Sequence, residues 1–184
     1  MTQKHTVVFT GESYAGKSTL AAMLANRQDM PLFAVGGFER AYAKNLGYDD
    51  IVQFEREFGL EKAYYSLIPT MLQHIKGIGC NGTKEIVIEG VYDPCLYGEI
   101  SAIFANKLCL VSVTAPIELR MSRKVGKECV SIEAAKQHIL QLDLHKEMVG
   151  NKELAKMVNL RIINDSDLEG AYKELESKLR HLLR

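Results

Sequence analysis

Residues 11–19 read Gly-Glu-Ser-Tyr-Ala-Gly-Lys-Ser-Thr, and the spacing Gly-x-x-x-x-Gly-Lys-Ser is that of a loop that wraps phosphate. Each residue type has a physical task. Gly11 and Gly16 permit backbone angles that turn the N–H groups of Glu12, Ser13, Tyr14 and Ala15 toward one point, a nest for an anion. Lys17 can reach the β- and γ-phosphates of a nucleotide, and the Ser18 hydroxyl is a hard ligand suited to Mg²⁺. Thr19 closes the motif inside a first helical turn, whose partial positive charge favours the same anion. A lysine in that turn is disfavoured unless an anion offsets it. The chemistry is nucleotide binding, and the remaining question is whether the nucleotide switches, drives motion or donates a phosphoryl group.

A guanine-reading switch needs Asn-Lys-x-Asp, and the nearest string, Asn106-Lys107-Leu108-Cys109, lacks the aspartate. A motor needs more chain for its sensor and coupling regions. A small-molecule kinase fits the length, and it needs an acceptor pocket and a basic lid besides the donor loop. Phe33-Ala-Val-Gly-Gly-Phe-Glu-Arg40 ends a strand and opens a helix. There Gly37 allows close approach and Arg40 either faces a bound anion or is a solvated helix charge. Glu89, at the end of Ile86-Val87-Ile88-Glu89, is placed to hold a water of hydrated Mg²⁺ at the carboxyl edge of a sheet. Asp93 is an alternative ligand or acceptor-side base, or the start of an Asp-Pro turn. Arg120, Arg123, Lys124 and Lys127 form a basic run; Arg120 and Arg123, three apart, share a helix face.

The elements that must position these groups alternate. Thr6-Val7-Val8-Phe9-Thr10 is a strand buried on both faces, followed by the loop and a helix. Pro31-Leu32-Phe33-Ala34-Val35 is a second strand, ended by Gly36 and Gly37, with helices expected from Phe38 to about Leu46 and from Tyr48 to Phe58. A helix over 61–76 carries Ala63, Tyr64, Leu67, Ile68, Met71, Leu72 and Ile75 on its apolar face, and Pro69 is expected to kink or divide it. Residues 77–84 read as a surface loop. Strands at 86–88, 108–113 and 159–163 follow, with a helix near 95–106. Beyond Pro116 a helix runs into a charged, weakly patterned stretch at 122–128, expected to lack core residues and to form a mobile lid. Ser131 caps a helix that faces inward through Ile132, Ala135, Ile139 and Leu142. Ser166 and Glu169 make a capping box for a last helix striped by Leu168, Ala171, Tyr172, Leu175, Leu179 and Leu182.

The 184 residues suit one α/β domain with a parallel sheet, and no linker or repeat divides 1–184. Acids and bases number 23 each, which argues against a general nucleic-acid or membrane-surface binder. Cys80, Cys95, Cys109 and Cys129 have no metal-type spacing and read as reduced, mostly packed thiols of a cytoplasmic protein. The five histidines likewise lack metal spacing, and Tyr64-Tyr65 reads as packing. The short apolar run near the N-terminus stops at Gly11, unlike a signal peptide or a membrane span.

In order along the chain, the phosphate loop, Ala34-Val-Gly-Gly-Phe-Glu-Arg40 with Ala43-Lys-Asn-Leu-Gly47, Ile86-Val-Ile-Glu-Gly-Val91, Val113-Thr-Ala-Pro-Ile-Glu-Leu-Arg120 and Ile162-Ile-Asn-Asp-Ser166 resemble the P-loop nucleoside-monophosphate kinase group, especially cytidylate-kinase-like and archaeal dephospho-CoA-kinase-like proteins. The resemblance implies a three-layer fold with a five-stranded parallel sheet, an acceptor-binding helical section near 37–76 and a lid near 122–130. It implies ATP and Mg²⁺, with Asn164 and Asp165 framing the adenine. The partners expected are a nucleotide and a small acceptor, in a monomer or homodimer.

The departures bear on the acceptor. The arginine that often follows the third strand in monophosphate kinases is replaced here by Tyr92. Residues 131–150 hold no arginine, and Asp143 and His145 stand there instead. The aspartate that dephospho-CoA kinases carry after the second strand is also missing, with no acid before Glu39. Transfer onto a phosphate needs cations rather than a base, whereas transfer onto a hydroxyl benefits from a carboxylate. Arg40 therefore leans the reading toward a monophosphate acceptor, with Lys17, Arg120 and Arg123 stabilising the transferring group. The alternatives are a hydroxyl acceptor served by Glu39 or Asp93, and a nucleotide sensor without catalysis.

Overall fold

The computed structural model describes residues 5–80, 84–105, 108–165 and 167–182, the side chains at 60 and 61 excepted. Among the described residues the elements follow in the order β1 (Thr6–Gly11), α1 (Lys17–Gln28), β2 (Leu32–Ala34), α2 (Val35–Asn45), α3 (Ile51–Phe58), α4 (Leu60–Ile78), β3 (Val87–Glu89), α5 (Pro94–Phe104), β4 (Leu108–Thr114), α6 (Ile117–Glu128), α7 (Ile132–Met148), α8 (Asn151–Leu154), β5 (Leu160–Ile163) and α9 (Leu168–Leu182). Every residue of β1 is buried, which an α/β sheet covered on both faces requires of its central strand. β1 pairs in parallel with β3 on one side and β4 on the other. β2 and β5 close the two edges, giving the order β2-β3-β1-β4-β5.

Alternate side chains of β1 serve two cores, because successive strand residues face opposite ways. Val7 and Phe9 pack with Leu20 and Leu24 of α1 and Tyr172 and Leu175 of α9. Val8 packs with Phe54 of α3, Met71 and Ile75 of α4 and Leu96 and Ile100 of α5. Parallel strands bring their carboxyl ends to one edge, so Gly11, Ala34, Glu89 and Thr114 lie together there. The site is built on that edge.

Several local expectations are corrected. Gly36 and Gly37 do not end β2 ahead of a helix at Phe38; they lie in the first turn of α2, which starts at Val35, where the N–H groups need no helical partner. Pro69 lies inside α4, which continues undivided to Ile78. Its neighbours Leu67, Met71 and Ile75 are buried, and that packing outweighs one missing hydrogen bond. Residues 122–128 are the second half of α6, and Lys124 there is 1% exposed. The stretch looked unpatterned because its buried residue is a lysine with polar partners. Ile132 is exposed although Ala135 and Ile139 are buried as expected. Leu182, placed on the α9 stripe, is exposed as well.

The four cysteines form no disulfide, and three of them are exposed rather than packed, with only Cys109 buried. Ser166 lies outside the described residues; Asp167 accepts from the Gly170 N–H at the start of α9. Residues 81–83, within the expected loop, and 106–107, at the expected end of α5, also lie outside them. Among the described residues, no helix is long and apolar enough to cross a membrane.

Candidate active site

The loop between β1 and α1 is held by contacts that only glycine permits. Gly11 has φ +120°, and a Cβ there would lie 2.2 Å from the Val113 carbonyl oxygen of β4. Gly16 has φ +94°, and a Cβ there would lie 2.3 Å from Asn164 Nδ2. Tyr14, at φ 59°, holds a left-handed conformation that costs a non-glycine residue free energy. That conformation is stabilised from outside the loop: the Tyr14 hydroxyl donates to Glu128 and accepts from Lys124 Nζ at 3.0 Å, both on α6. Lys124 Nζ also lies 4.8 Å from the Tyr14 ring centroid.

Lys17 is buried, and its Nζ donates to the Glu12 carbonyl at 2.5 Å. Burial first, and then the charge of Lys146, hold its amine well below the usual lysine range. Ser18 Oγ donates to Glu89 Oε2 at 3.1 Å, joining the first turn of α1 to the end of β3. Two hard oxygens beside a phosphate loop fit a Mg²⁺ ion that takes its other ligands from phosphates and water. Ser18 and Glu89 are the residues that could hold it.

Arg120 and Arg123 converge on the loop from α6. Arg120 is 5% exposed; its Nη1 donates to Asp143 Oδ2 at 2.6 Å and to the Ser13 carbonyl at 3.3 Å. Its Nε lies 3.7 Å from Glu12 Oε2. Arg123 donates to the carbonyls of Tyr14 at 3.4 Å and Asn164 at 3.1 Å. Asn164 is buried beneath the loop, where Nδ2 donates to the Ala15 carbonyl at 2.8 Å. Its Oδ1 is buried with no hydrogen-bond partner among the described residues. Asp165 is exposed beside it.

Two residues that sequence reasoning did not assign bond directly to the loop. Asp143 of α7 accepts from the Ser13 N–H at 2.8 Å through Oδ1, while Oδ2 takes Arg120. Burial pushes its carboxyl up, but the hydrogen bonds from Arg120 and Ser13 outweigh this and hold it below the usual aspartate range. Lys146, one helical turn on, donates to Ser13 Oγ at 2.6 Å and the Gly11 carbonyl at 3.4 Å. Burial pushes its amine down to about 8, against the pull of Asp143. The signal was the spacing: Ile139, Asp143 and Lys146 continue the buried face of α7 as a polar extension.

The residues expected on the acceptor side gather where α2 meets the end of β3. A Cβ added at Gly36 would lie 3.3 Å from Arg40 Nη1 and 4.0 Å from Glu39 Oε2, so both side chains lean over that glycine. Gly37 is open: a Cβ there would meet only Ala34 Cβ, at 3.5 Å. Arg40 is exposed. Burial, and secondarily the Glu55 carboxylate, push the Glu39 carboxyl up to about 7, with Arg40 opposing. Asp93 is 4% exposed, and its two carboxylate oxygens accept from the backbone of Cys95 and Leu96 as the cap of α5. His145 Nε2 lies 3.7 Å from Glu55 Oε1, and the Tyr64 and Tyr65 rings meet edge-on at 6.0 Å.

A five-stranded parallel sheet in this order, with a glycine loop leading from its central strand into a helix, is the α/β fold of P-loop kinases. Among solved structures the chain is similar to an uncharacterised protein from Eubacterium ventriosum ATCC 27560, at 12% identity and a TM-score of 0.70, over 96% of this chain and 99% of that one. It is similar to a shikimate kinase from Bacteroides thetaiotaomicron, at 14% identity and a TM-score of 0.64, over 96% and 98%. It is also similar to a gluconokinase from Sinorhizobium meliloti 1021, at 11% identity and a TM-score of 0.65, over 98% and 95%. No family model and no curated protein sequence matches the chain.

Proposed function

We propose that the protein is an ATP-dependent kinase that transfers the γ-phosphoryl group to a hydroxyl of a small molecule. The observation that carries the reading is the corner made by Lys17, Ser18 and Glu89: a buried ammonium beside two hard oxygens 3.1 Å apart, at the mouth of the glycine loop. Lys17 and the loop N–H groups bind the β- and γ-phosphates, and Arg120 and Arg123 offset charge that builds on the transferring group. Ser18 and Glu89 would hold Mg²⁺, which would supply charge neutralisation for the phosphates. Asn164 holds the loop from below, and with Asp165 it borders the adenine.

The acceptor reading rests on Glu39. Asp93 is engaged as a helix cap, which leaves Glu39 as the carboxyl over Gly36, poised near neutrality to take a proton. In the transfer, the acceptor oxygen bonds to the γ-phosphorus, the bond from that phosphorus to the ADP oxygen breaks, and the hydroxyl proton passes to Glu39. Structural relatives include a shikimate kinase and a gluconokinase, whose names denote hydroxylated small-molecule acceptors. A second reading, a nucleoside monophosphate acceptor, is favoured by the exposed Arg40, whose guanidinium lies over Gly36. In either case the helices from residue 37 to 76 border the acceptor.

The test is a phosphoryl-transfer screen with Mg·ATP against hydroxy acids, sugar acids, dephospho-CoA and nucleoside monophosphates, with products identified by mass. A phosphate ester formed at a hydroxyl supports the first reading, and a nucleoside diphosphate supports the second. ATP bound without any product would favour a sensor.

A further inference from the structure

We infer that Lys146 of α7 is a second phosphate-contacting lysine, which meets the γ-phosphate of the bound nucleotide opposite Lys17. The inference rests on the kinase reading for the nature of the ligand, and on the following geometry for the residue.

Lys146 enters the site from outside the phosphate loop and the basic run of α6. It is only 9% exposed, and its Nζ reaches two loop oxygens, Ser13 Oγ and the Gly11 carbonyl. Lys17 Nζ lies 5.7 Å from the centroid of the Tyr92 ring, and Lys146 Nζ lies 4.6 Å from the same centroid. Tyr92 follows β3 three residues beyond Glu89, which pairs with Ser18. The ring is therefore shared by the two amines and stands beside the corner where the γ-phosphate must sit.

Charge gives the arrangement its direction. Both oxygens that Lys146 bonds are neutral, and its nearest carboxylate, Asp143 Oδ1, is 3.8 Å away. The same Asp143 already serves Arg120 at 2.6 Å and the Ser13 N–H at 2.8 Å. Lys17, Arg120 and Lys146 thus crowd the loop, and of the carboxylates around them, Asp143, Glu12 and Glu89, none comes closer than 3.8 Å to Lys146. A buried ammonium whose partners are neutral is costly, and an entering anion relieves the cost. Asp143 fixes α7 against the loop through Ser13 and so sets where Lys146 is delivered. Because residues 131–150 contain no arginine, this lysine is the cation that α7 brings to the phosphates.

A role limited to clamping Ser13 and Gly11 makes a different prediction. A clamp acts on the loop and affects all nucleotides alike, whereas a γ-phosphate contact distinguishes triphosphate from diphosphate. The experiment is calorimetric titration of the full chain with Mg·ADP and with the β,γ-imido analogue of ATP, in wild type, Lys146→Gln and Lys146→Arg. Glutamine keeps a donor for Ser13 Oγ and removes the charge. The expected result is that Lys146→Gln weakens the imido analogue by about tenfold or more, the scale of one charge-assisted hydrogen bond. ADP binding changes by less than about threefold, about 0.65 kcal/mol, and Lys146→Arg recovers most of the loss. Equal losses for both nucleotides, or no loss for either, would overturn the role of Lys146 and leave the kinase reading standing. Discrimination by Lys146 without transfer to any acceptor would do the reverse. If thermal melting shows Lys146→Gln unfolded, Lys146→Arg decides: retained preference for the triphosphate supports the contact, and loss of that preference overturns it.

Discussion

Asp143 and Arg120, on successive helices, meet in an ion pair of 2.6 Å, and the same carboxylate takes the Ser13 N–H of the phosphate loop at 2.8 Å. One side chain thus ties α6, α7 and the loop together. With Arg120 5% exposed and the Asp143 side chain 22% exposed, the pair is well shielded from water. Asp143→Asn keeps the shape but removes the charge that balances Arg120. Its expected cost is about 1–3 kcal/mol, seen as a drop of about 3–10 °C in Tm. The pH dependence follows from the lowered carboxyl. This contribution is present above the unfolded aspartate value of about 3.9 and is lost as pH falls through the lower folded value. Thermal melting of wild type and Asp143→Asn between pH 3 and 7 checks both statements, and the two curves should converge at the acid end.

Glu39 sets the pH dependence of catalysis in the hydroxyl-acceptor reading. Its carboxyl, raised to about 7, must lose its proton before it can accept another. Turnover per substrate encounter, kcat/KM, should therefore rise with pH through about 7 and level off above it. Glu39→Gln should lower kcat by about 10²- to 10⁴-fold and abolish the rise, while ATP affinity holds. A monophosphate acceptor predicts little change in Glu39→Gln and a large KM increase in Arg40→Ala.

Lys146 should take up a proton when nucleotide binds near pH 8. The groups facing it are Lys17 of α1, Glu12 of the loop, Arg120 of α6, the Tyr92 ring and Asp143 on its own helix. Burial brings the amine down to about 8 in the free protein, and an adjacent phosphate raises it again. Titrations with Mg·ATP at pH 8 in buffers of different ionisation enthalpy measure the uptake. Lys146→Arg, whose guanidinium stays charged, should reduce it.

The loop glycines predict a graded series. Gly11→Ala drives a Cβ to 2.2 Å from the Val113 backbone at φ +120°, where neither partner can move without breaking the pairing of β1 with β4. It should fail to fold, or lose more than about 4 kcal/mol. Gly16→Ala meets a side chain, Asn164, which can be displaced at the expense of its bond to Ala15. It should fold with reduced stability and weakened nucleotide binding. Circular dichroism melts and nucleotide titrations of the two variants check the order.

The legible parts of this molecule were those written in apolar periodicity or in a loop whose geometry admits few residues. The run from Thr6 to Thr10 announced a central strand, and the glycine-lysine-serine spacing placed Lys17 and Ser18 at its carboxyl end. Glu89 could be set beside Ser18 because parallel strands end together. The buried polar contacts were not legible. Asp143 and Lys146 extend the buried face of α7 and Lys124 lies on α6, but apolar patterning gives no weight to charged residues, and each is tied to the loop by hydrogen bonds. Asp93 and Asn164 show the same limit in another form, since a carboxylate or amide near a site can equally hold backbone. Asp93 caps α5, and Asn164 supports Ala15 from below. Pro69 was read through a local rule that tertiary packing overrode.

In the proposed kinase reaction, Lys17 and its neighbours bind Mg·ATP for transfer to a second molecule. The most direct measurement is acceptor-dependent ADP formation, with the phosphorylated product identified by mass, in wild type and Lys17→Ala. The expected result is stoichiometric ADP and product in wild type, with turnover reduced by about 10²-fold or more in the variant. Near-wild-type turnover in Lys17→Ala, or ATP bound by wild type with no acceptor phosphorylated, would contradict it.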